Sequence, residues 1–556
     1  MRASLCRIIH SLLAGATLAL AGYLVACARQ GSPQGGPKDT TPPRVVEDLS
    51  TPNYSLNFSE RAIRLTFDEW VLLRDVNAQV VISPSIQKKP EIKLKGKTLV
   101  FRFDPDEVLR PNTTYTINFG ASIRDLHEEN SAENLRFVFS TGAYLDSLSI
   151  SGFALDAYSD EGLDKAIVAL YDNLSDSAVH KEKPLYLTRS DKSGAFRFDN
   201  LRSGAYRLLA FEDTDQDLRW RRGVDRIGFW PSTVAVSADS TPPYTIRLFR
   251  DASAFKITGR ELDQYGRATI VYSASPHALR PQAPDGITLY SETAGDTLQL
   301  WYHTDSTRAW NLILGADTLK IRRLSQEDFL KKRQPIFADD AVSSGARKFA
   351  SATAKPVIKT ILHNPRRPAP LRFDAPIEAL DTSRTKLFRS DSIPVARFSL
   401  QRDSARQTRF WLQSEWTPDT YLLVLEPGAL TDFYGATNAD TLMRKFTIPE
   451  LKKMGDLNLK INGLLPQTAY VARLMNGKNL ELEEAFTTSE EGAADLVFKS
   501  ISPLSYSLEL IEDLNANGRW DPGAYYQNRQ PERVWIKKLQ ALRANWELEE
   551  KITIER

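Results

Sequence analysis

Ile63-Arg64-Leu65-Thr66-Phe67-Asp68 alternates apolar and polar side chains, the period-two pattern of a strand with one buried face. Thr98-Leu99-Val100-Phe101-Arg102-Phe103 does much the same, and Tyr115-Thr116-Ile117-Asn118-Phe119 follows. Short runs of this kind, separated by Pro and Asn, predict an antiparallel sandwich over residues 44–142. The stretch then recurs. Leu371-Arg372-Phe373-Asp374 matches Leu65-Thr66-Phe67-Asp68, and Trp416-Thr417-Pro418-Asp419-Thr420-Tyr421 matches Leu109 to Tyr115. Phe67 to Tyr115 is 48 residues, and so is Phe373 to Tyr421; Asp125 and Asp432 follow those tyrosines by 10 and 11.

A second rhythm begins after residue 142. Asp191-Lys192-Ser193-Gly194-Ala195-Phe196-Arg197-Phe198 leads into Leu201-Arg202-Ser203-Gly204-Ala205-Tyr206-Arg207-Leu208, which reads as turn, strand, Gly turn, strand. Phe198, Leu201, Tyr206, Glu212, Asp213 and Trp220 recur as Phe498, Ile501, Tyr506, Glu512, Asp513 and Trp520, all offset by 300. Repeats this far apart mean a duplicated pair of domains, not a solenoid of short units. The second copy has drifted: Leu504 replaces Gly204, and no D-x-x-G turn is recognisable between Phe486 and Phe498. Between the pairs, Ala268-Thr269-Ile270-Val271-Tyr272 and Thr297-Leu298-Gln299-Leu300-Trp301-Tyr302 are strand-like. Residues 326–350 are polar and contain Gly345, which suggests a short helix before a linker.

Phe67-Asp68-Glu69, Leu109-Arg110-Pro111-Asn112-Thr113-Thr114-Tyr115 and Phe137-Val138-Phe139-Ser140-Thr141-Gly142 together resemble the bacterial Ig-like domain first noted in S-layer proteins. Gly36-Pro37-Lys38-Asp39-Thr40-Thr41-Pro42-Pro43 resembles the D-x-x-P-P lead-in of such domains in lipoproteins. The D-x-x-G-x-F-x-F…L-x-x-G-x-Y-x-L pattern resembles the prealbumin-like, carboxypeptidase-regulatory-like β-sandwich, a family that usually serves as a scaffold; no peptidase half accompanies it. The fold class is therefore all-β: tandem Ig-like and prealbumin-like sandwiches, a duplicated pair around a middle β domain. The expected layout is a signal over 1–26, a Gly/Pro-rich tether over 27–43 and Ig-like domains at 44–142 and 351–449. Prealbumin-like domains are expected at 143–250 and 450–556, with the middle domain and its linker at 251–350.

The N-terminus places the protein. Arg2 and Arg7 precede a mostly apolar run from Ile8 to Ala26, the layout of a secretory signal. Leu24-Val25-Ala26-Cys27 resembles the lipobox of bacterial lipoproteins, which implies cleavage before Cys27, a diacylglycerol on its thiol and an acylated amine. A transmembrane anchor is the competing reading; the run is marginal for a hydrocarbon core of about 30 Å and carries His10. Cys6 lies in the signal and Cys27 would be lipidated, so the mature chain has no disulfide and rests on its cores. Cleavage removes Arg2 and Arg7 and takes the net charge from +2 to 0, which gives no reason to invoke nucleic acid. Acyl chains contribute roughly 0.8 kcal/mol per buried methylene. Ala28 stands where enteric lipoproteins of the inner membrane carry Asp, so the outer membrane is expected. Ala28-Arg29-Gln30-Gly31 lacks the acidic cluster that tags some lipoproteins for surface display, so the periplasmic face is favoured.

The most chemical feature is an acidic loop present in both copies: Glu212-Asp213-Thr214-Asp215-Gln216-Asp217 and Glu512-Asp513-Leu514-Asn515-Ala516-Asn517-Gly518. Oxygen-bearing side chains at alternate positions can face one point, as in a Ca²⁺ loop. The candidate ligands are Asp213, Asp215 and Asp217 in the first loop, and Asp513, Asn515, Asn517 and Asp521 in the second. Position 12, where a bidentate Glu belongs, is Val224 or Ala524; Asp521 can compensate in the second loop, and Asp225 is a poorer substitute in the first. The other reading is an Asx-rich turn with Trp220 and Trp520 packed on the sheet edge, with the loops orienting neighbouring domains. Any metal would stiffen a loop; no cofactor is required.

A hydrolase reading finds little support. His10, His127, His180, His277, His303 and His363 are scattered without metalloprotease spacing, and no G-x-S-x-G elbow or phosphate loop occurs. Glycan binding would use exposed aromatics, for which Trp301-Tyr302, Trp411, Trp416, Tyr525-Tyr526 and Trp535 are available, although strand aromatics usually belong to cores. The expected function is a non-enzymatic envelope lipoprotein, a β scaffold whose sheet edges and loop ends bind another envelope or outer-membrane protein. The alternative is a surface adhesin or glycan-binding lipoprotein.

Overall fold

The computed structural model describes residues 39–132, 135–237, 243–251, 256–273, 275–276, 279–304, 308–322, 326–338 and 358–555. The lipobox, Cys27, His10, the tether up to Lys38, His277 and Gly345 lie outside the described residues. Within them the chain is nearly all β, and the longest helix is the seven-residue Gln326–Lys332, in the polar stretch where a short one was expected. No helix of the described residues is long and apolar enough to cross a membrane. The chain divides into two compact units, Met1–Leu145 and Asp146–Arg556.

In the first unit, Ala62–Thr66, Thr98–Arg102 and Glu91–Lys95 form one sheet, and Val81–Ser83, Thr114–Asn118 and Arg136–Ser140 face it. The period of two is realised: Ile63, Leu65 and Phe67 are buried and Arg64 is exposed. They meet Phe101, Ile117, Phe119 and Phe139 in one core. Tyr115 stacks on Phe139 at 5.3 Å, and its hydroxyl accepts the Arg110 N–H at 2.9 Å, tying a strand to the loop before it.

The second unit repeats this topology and adds a second one twice. Ala369–Arg372, Arg409–Ser414 and Phe398–Arg402 take the order of the first unit's first sheet, while Leu442–Ile448, Asp419–Leu425 and Thr385–Phe388 take that of its second. Phe337 bridges Phe373 as Val45 bridges Phe67. The Ile336 N–H bonds Asp374 at 3.2 Å as the Arg44 N–H bonds Asp68 at 2.9 Å. This sandwich therefore takes its leading segment from Arg333-Gln334-Pro335-Ile336-Phe337, inside the stretch expected to be linker and ahead of residue 351. The parallel pairing that follows it, Ser55 with Phe139, becomes Ile361 with Phe446. An insertion between Phe337 and Ile361 separates the two pieces and hides the match in sequence.

The other topology is an antiparallel pair plus a parallel strand, packed on a sheet with a common path of four strands, to which Val234–Val236 adds a fifth in the first copy. Ala195–Leu201, Leu148–Asp156 and Tyr244–Leu248 face Tyr186–Arg189, Ile167–Tyr171, Gly204–Phe211 and Ile227–Phe229. Ala494–Ile501, Gly455–Asn462 and Glu547–Thr553 face Asn479–Thr487, Ala469–Asn476, Ser507–Glu512 and Val534–Lys538 in the same order and sense. The turn that sequence did not reveal in the second copy is present. The Asp191 carboxylate accepts the Ser193 and Ala195 N–H groups with Gly194 at φ 82°, and Ser489 Oγ accepts the Glu491 and Ala493 N–H groups with Gly492 at φ 71°. Serine does the work of aspartate, because either side chain can accept from its own turn.

The middle domain is a four-stranded sheet, Ile257–Gln264, Arg267–Tyr272, Thr297–Thr304 and Ile287–Ala294, with a hairpin, Trp310–Leu314 and Asp317–Ile321. It packs on the sandwich that follows through Trp301, Phe433 and Tyr434. Arg333, at the start of that sandwich's leading segment, sits at the seam, bonding Asp374 at 3.0 Å and Asp432 at 2.6 Å. Gly266 sits at φ 78° under the Tyr434 ring, which would lie 2.7 Å from any Cβ there.

One titration is built into this sandwich. His363 is buried against Trp416 at 5.3 Å, with Nε2 2.8 Å from the Arg367 carbonyl. Burial lowers its pKa below 6.5, and the carbonyl bond opposes this only in part. The folded state thus binds this proton less readily than the unfolded chain, so the stability it brings is complete above 6.5 and is lost as pH falls below it. We expect the denaturant midpoint, read by tryptophan fluorescence, to fall on acidification through this range, and His363→Gln to flatten that slope.

Candidate functional site

In each four-stranded sheet a central strand ends in the acidic loop: Gly204–Phe211 runs on into Glu212, and Ser507–Glu512 into Asp513. The aspartate fixes the loop. The Asp213 carboxylate accepts the Asp217 and Leu218 N–H groups at 3.1 and 3.2 Å; that of Asp513 accepts those of Asn517 and Gly518 at 2.9 and 2.7 Å. Asp217 and Asn517 in turn accept from the N–H groups of Arg219 and Arg519. Each loop has two left-handed residues, Gln216 and Leu218 in the first and Ala516 and Gly518 in the second. Leucine at φ 62° is strained where glycine at φ 77° is not, so the second loop is the more relaxed of the two.

The structure brings the seven candidate ligands into two groups. Carboxylate oxygens of Asp213, Asp215 and Asp217 lie within 4.8 Å of one another. In the second loop Asp521 accepts from the side-chain amides of both Asn515 and Asn517, the latter at 2.8 Å. Position 12 closes neither loop: Val224 is exposed and Ala524 is buried in packing. Closure comes from Asp225 and Glu532. Asp225 accepts the Thr214 hydroxyl at 2.6 Å and the Arg221 N–H at 3.0 Å. Glu532 accepts the Leu514 and Asp521 N–H groups at 2.9 and 2.7 Å. The Trp220 and Trp520 indoles donate to the carbonyls of these same two residues at 2.9 and 2.8 Å. Sequence reasoning missed Glu532 and undervalued Asp225. The signal was Asp225-Arg226-Ile227 against Glu532-Arg533-Val534, hidden because its offset is not 300. The carboxyls crowd one another: burial, with the charges of Asp521 and Asp513, pushes Glu532 up to about 7 against its two N–H donors. Burial and the Asp217 charge likewise raise Asp213.

The broken offset has a structural cause. Five residues separate Trp220 from Asp225, but twelve separate Trp520 from Glu532. The extra seven form an arm that docks on the first copy. Tyr525 is buried there against Trp220 at 5.3 Å and Phe229 at 5.5 Å, and its hydroxyl donates to the Asp176 carbonyl at 3.2 Å. Gly523 lies against Phe249, and Gln530 donates to the Phe229 carbonyl at 3.1 Å. The contact is reciprocal, because Tyr158 of the first copy meets Trp520 edge-on at 5.2 Å and donates to Glu509 at 2.7 Å. Arg519 also reaches Ser275 of the middle domain at 3.1 Å. The acidic loops thus sit at a joint between the duplicated sandwiches.

Of the aromatics considered for glycans, Trp301, Tyr302 and Tyr525 are buried. Trp411 is covered by Arg409 at 4.7 Å and bonded to Asp403. Tyr526 is 41% exposed but stacked with His180 and overlaid by Arg222. Among the described residues, His127, His180, His303 and His363 belong to no group of three metal-ligating side chains.

Residues 39–141 match the family described as the bacterial Ig-like domain, which spans the first sandwich. No curated protein matches the chain. Solved structures with local likeness include the Bacillus anthracis TIE protein, 9% identical over 94% of this chain and 76% of that one, with a TM-score of 0.15. BcpA, the major pilin subunit of Bacillus cereus, is 10% identical over 73% of this chain and 99% of that one, with a TM-score of 0.12. The BSP domain of a biofilm-associated protein is 8% identical over 92% and 99%, with a TM-score of 0.15. Scores of this size establish no shared architecture along the chain.

Proposed function

We propose that the chain is a non-enzymatic, lipid-anchored scaffold of the bacterial envelope, held at the periplasmic face of the outer membrane by acylated Cys27, whose modules bind another envelope protein. The observation that carries this reading is the joint. The acidic and aromatic groups that look most like chemistry lie where duplicated sandwiches pack on one another, and modules joined in this way suit a scaffold. The prealbumin-like identity of residues 143–250 and 450–556 belongs to the same reading. Intact mass of the protein extracted from membranes tests the anchor: loss of residues 1–26 and gain of acyl mass is expected, with Cys27→Ser released to the soluble fraction. A full-length chain in the membrane, or a Cys27→Ser variant that stays there, would contradict it.

Calcium at the loops is part of the proposal. Asp513, Asn515, Asn517 and Asp521 supply oxygens in the second loop, the carboxylates of Asp213, Asp215 and Asp217 lie together in the first, and a divalent cation would relieve the crowding that raises Glu532 and Asp213. A site filled at a hundred times its dissociation constant adds about 2.7 kcal/mol. We expect millimolar Ca²⁺ to raise the unfolding midpoint over EDTA, and Asp521→Ala to remove most of that rise. Equal midpoints with and without Ca²⁺ would leave the loops as turns alone.

A further inference from the structure

The duplicated Ig-like sandwiches differ at one face. In the second copy that face is covered by the middle domain. Arg333 forks between Asp374 and Asp432 and lies 5.4 Å over the ring of Tyr434, which packs in a cluster with Phe433, Trp301 and Phe329. In the first copy the same framework recurs. Asp68 takes the place of Asp374, since each accepts the leading-segment N–H. Asp125 takes the place of Asp432, since Val71 pairs with one and Ile377 with the other. Leu126 takes the place of Phe433: its N–H bonds the Trp70 carbonyl as that of Phe433 bonds the Pro376 carbonyl. Counting back from the shared N–H, Thr41 stands where Arg333 stands.

The first copy therefore keeps both carboxylates and lacks the guanidinium. Trp70 is 54% exposed and Leu126 49%, where the aligned Phe433 is buried. Asp39, Glu69 and Glu128 add negative charge: burial raises the Glu69 carboxyl, and Asp125, Asp68, Asp39 and Glu128 raise it further. Lys97 donates to the main-chain carbonyl of Asp68. Exposed aromatic and aliphatic side chains beside a cluster of carboxylates are the makings of an interface anchor for a basic residue.

We propose that the face carrying Asp68, Trp70, Asp125 and Leu126 docks a protein partner that presents an arginine flanked by apolar side chains, as Trp301 and Phe329 of the middle domain pack on the second copy where Arg333 of its own leading segment sits between the two carboxylates. This rests on the scaffold reading above and names the surface that carries it. The test places photoreactive benzoylphenylalanine at position 70 or 126 of the full chain in living cells. Cross-linking to one protein, at a peptide containing or adjoining an arginine, is expected. Thr41→Arg fills the seat from within the chain and should lower the yield at least tenfold. Asp68→Asn, which can still accept the Arg44 N–H and keep the fold, should do the same. Cross-links confined to residues 1–38 or to lipid, or a yield that neither variant changes, would overturn the proposal. If a partner is nonetheless retained through other modules, only this face is wrong; if no partner is found anywhere, the scaffold reading fails with it.

Discussion

Replacing Arg333 by methionine is expected to cost the second unit about 3–5 kcal/mol, the range for breaking a buried ion pair from one side. Its two partners have side chains only 10% and 0% exposed, so removing the cation leaves two carboxylates facing each other away from water. Burial already raises the Asp432 carboxyl, and Arg333 opposes it first, with the Ala436 and Tyr434 N–H groups behind it. Trp301, whose indole donates to the Asp374 carbonyl at 3.1 Å, reports the transition by fluorescence in urea. Arg333→Lys should recover only part of the loss, because a single ammonium cannot fork between two carboxylates. Arg333→Met combined with Asp432→Asn should also recover part, because the variant then buries one charge fewer. A loss below about 1 kcal/mol for Arg333→Met would place the seam in water.

Tyr525→Ala is the second large effect, expected to cost about 3–5 kcal/mol as an aromatic truncated in a core. The ring is buried among Trp220, Phe229 and Tyr526, with Arg207 5.2 Å from its face. What sets it apart from an ordinary core residue is that it sits in the other copy's core. The loss should therefore fall on the joint: protease should cut the arm around Pro522 to Asn528 before either sandwich unfolds. Tyr526→Ala, at an exposed ring, should cost under 1 kcal/mol. Cutting that appears only with global unfolding would mean that the arm does not hold the copies together.

Much of this was legible in the sequence, and what was not shares a cause. Alternation at Ile63 to Phe67 marked the strands, because burial on one face leaves a period of two whatever else the chain does. The offset of 300 marked the duplication, and the tyrosines it carried are the ones whose hydroxyls tie strand to loop, at 3.0 Å for Tyr206 and 2.8 Å for Tyr506. Insertions hid the rest. Seven residues moved Glu532 out of register with Asp225, and the insertion after Phe337 parted the second Ig-like sandwich from its leading segment. Substitution hid Ser489, because hydrogen-bonding capacity is conserved across a change of residue type. A further tie of this kind escaped notice. Leu464-Leu465-Pro466-Gln467-Thr468-Ala469-Tyr470 repeats Leu109 to Tyr115, with the Leu465 N–H on the Tyr470 hydroxyl at 3.1 Å, inside a sandwich of the other topology. The acidic loops were found by composition, but that they sit beside a joint depends on tertiary packing.

The most direct test of the scaffold reading is cross-linking in living cells of the full chain carrying a C-terminal tag, followed by purification from outer membranes and mass spectrometry. One stoichiometric envelope protein, cross-linked to the sandwiches, is the expected result. No protein partner, with the chain digested by external protease and retained on a glycan array, would contradict it and make the chain a surface adhesin.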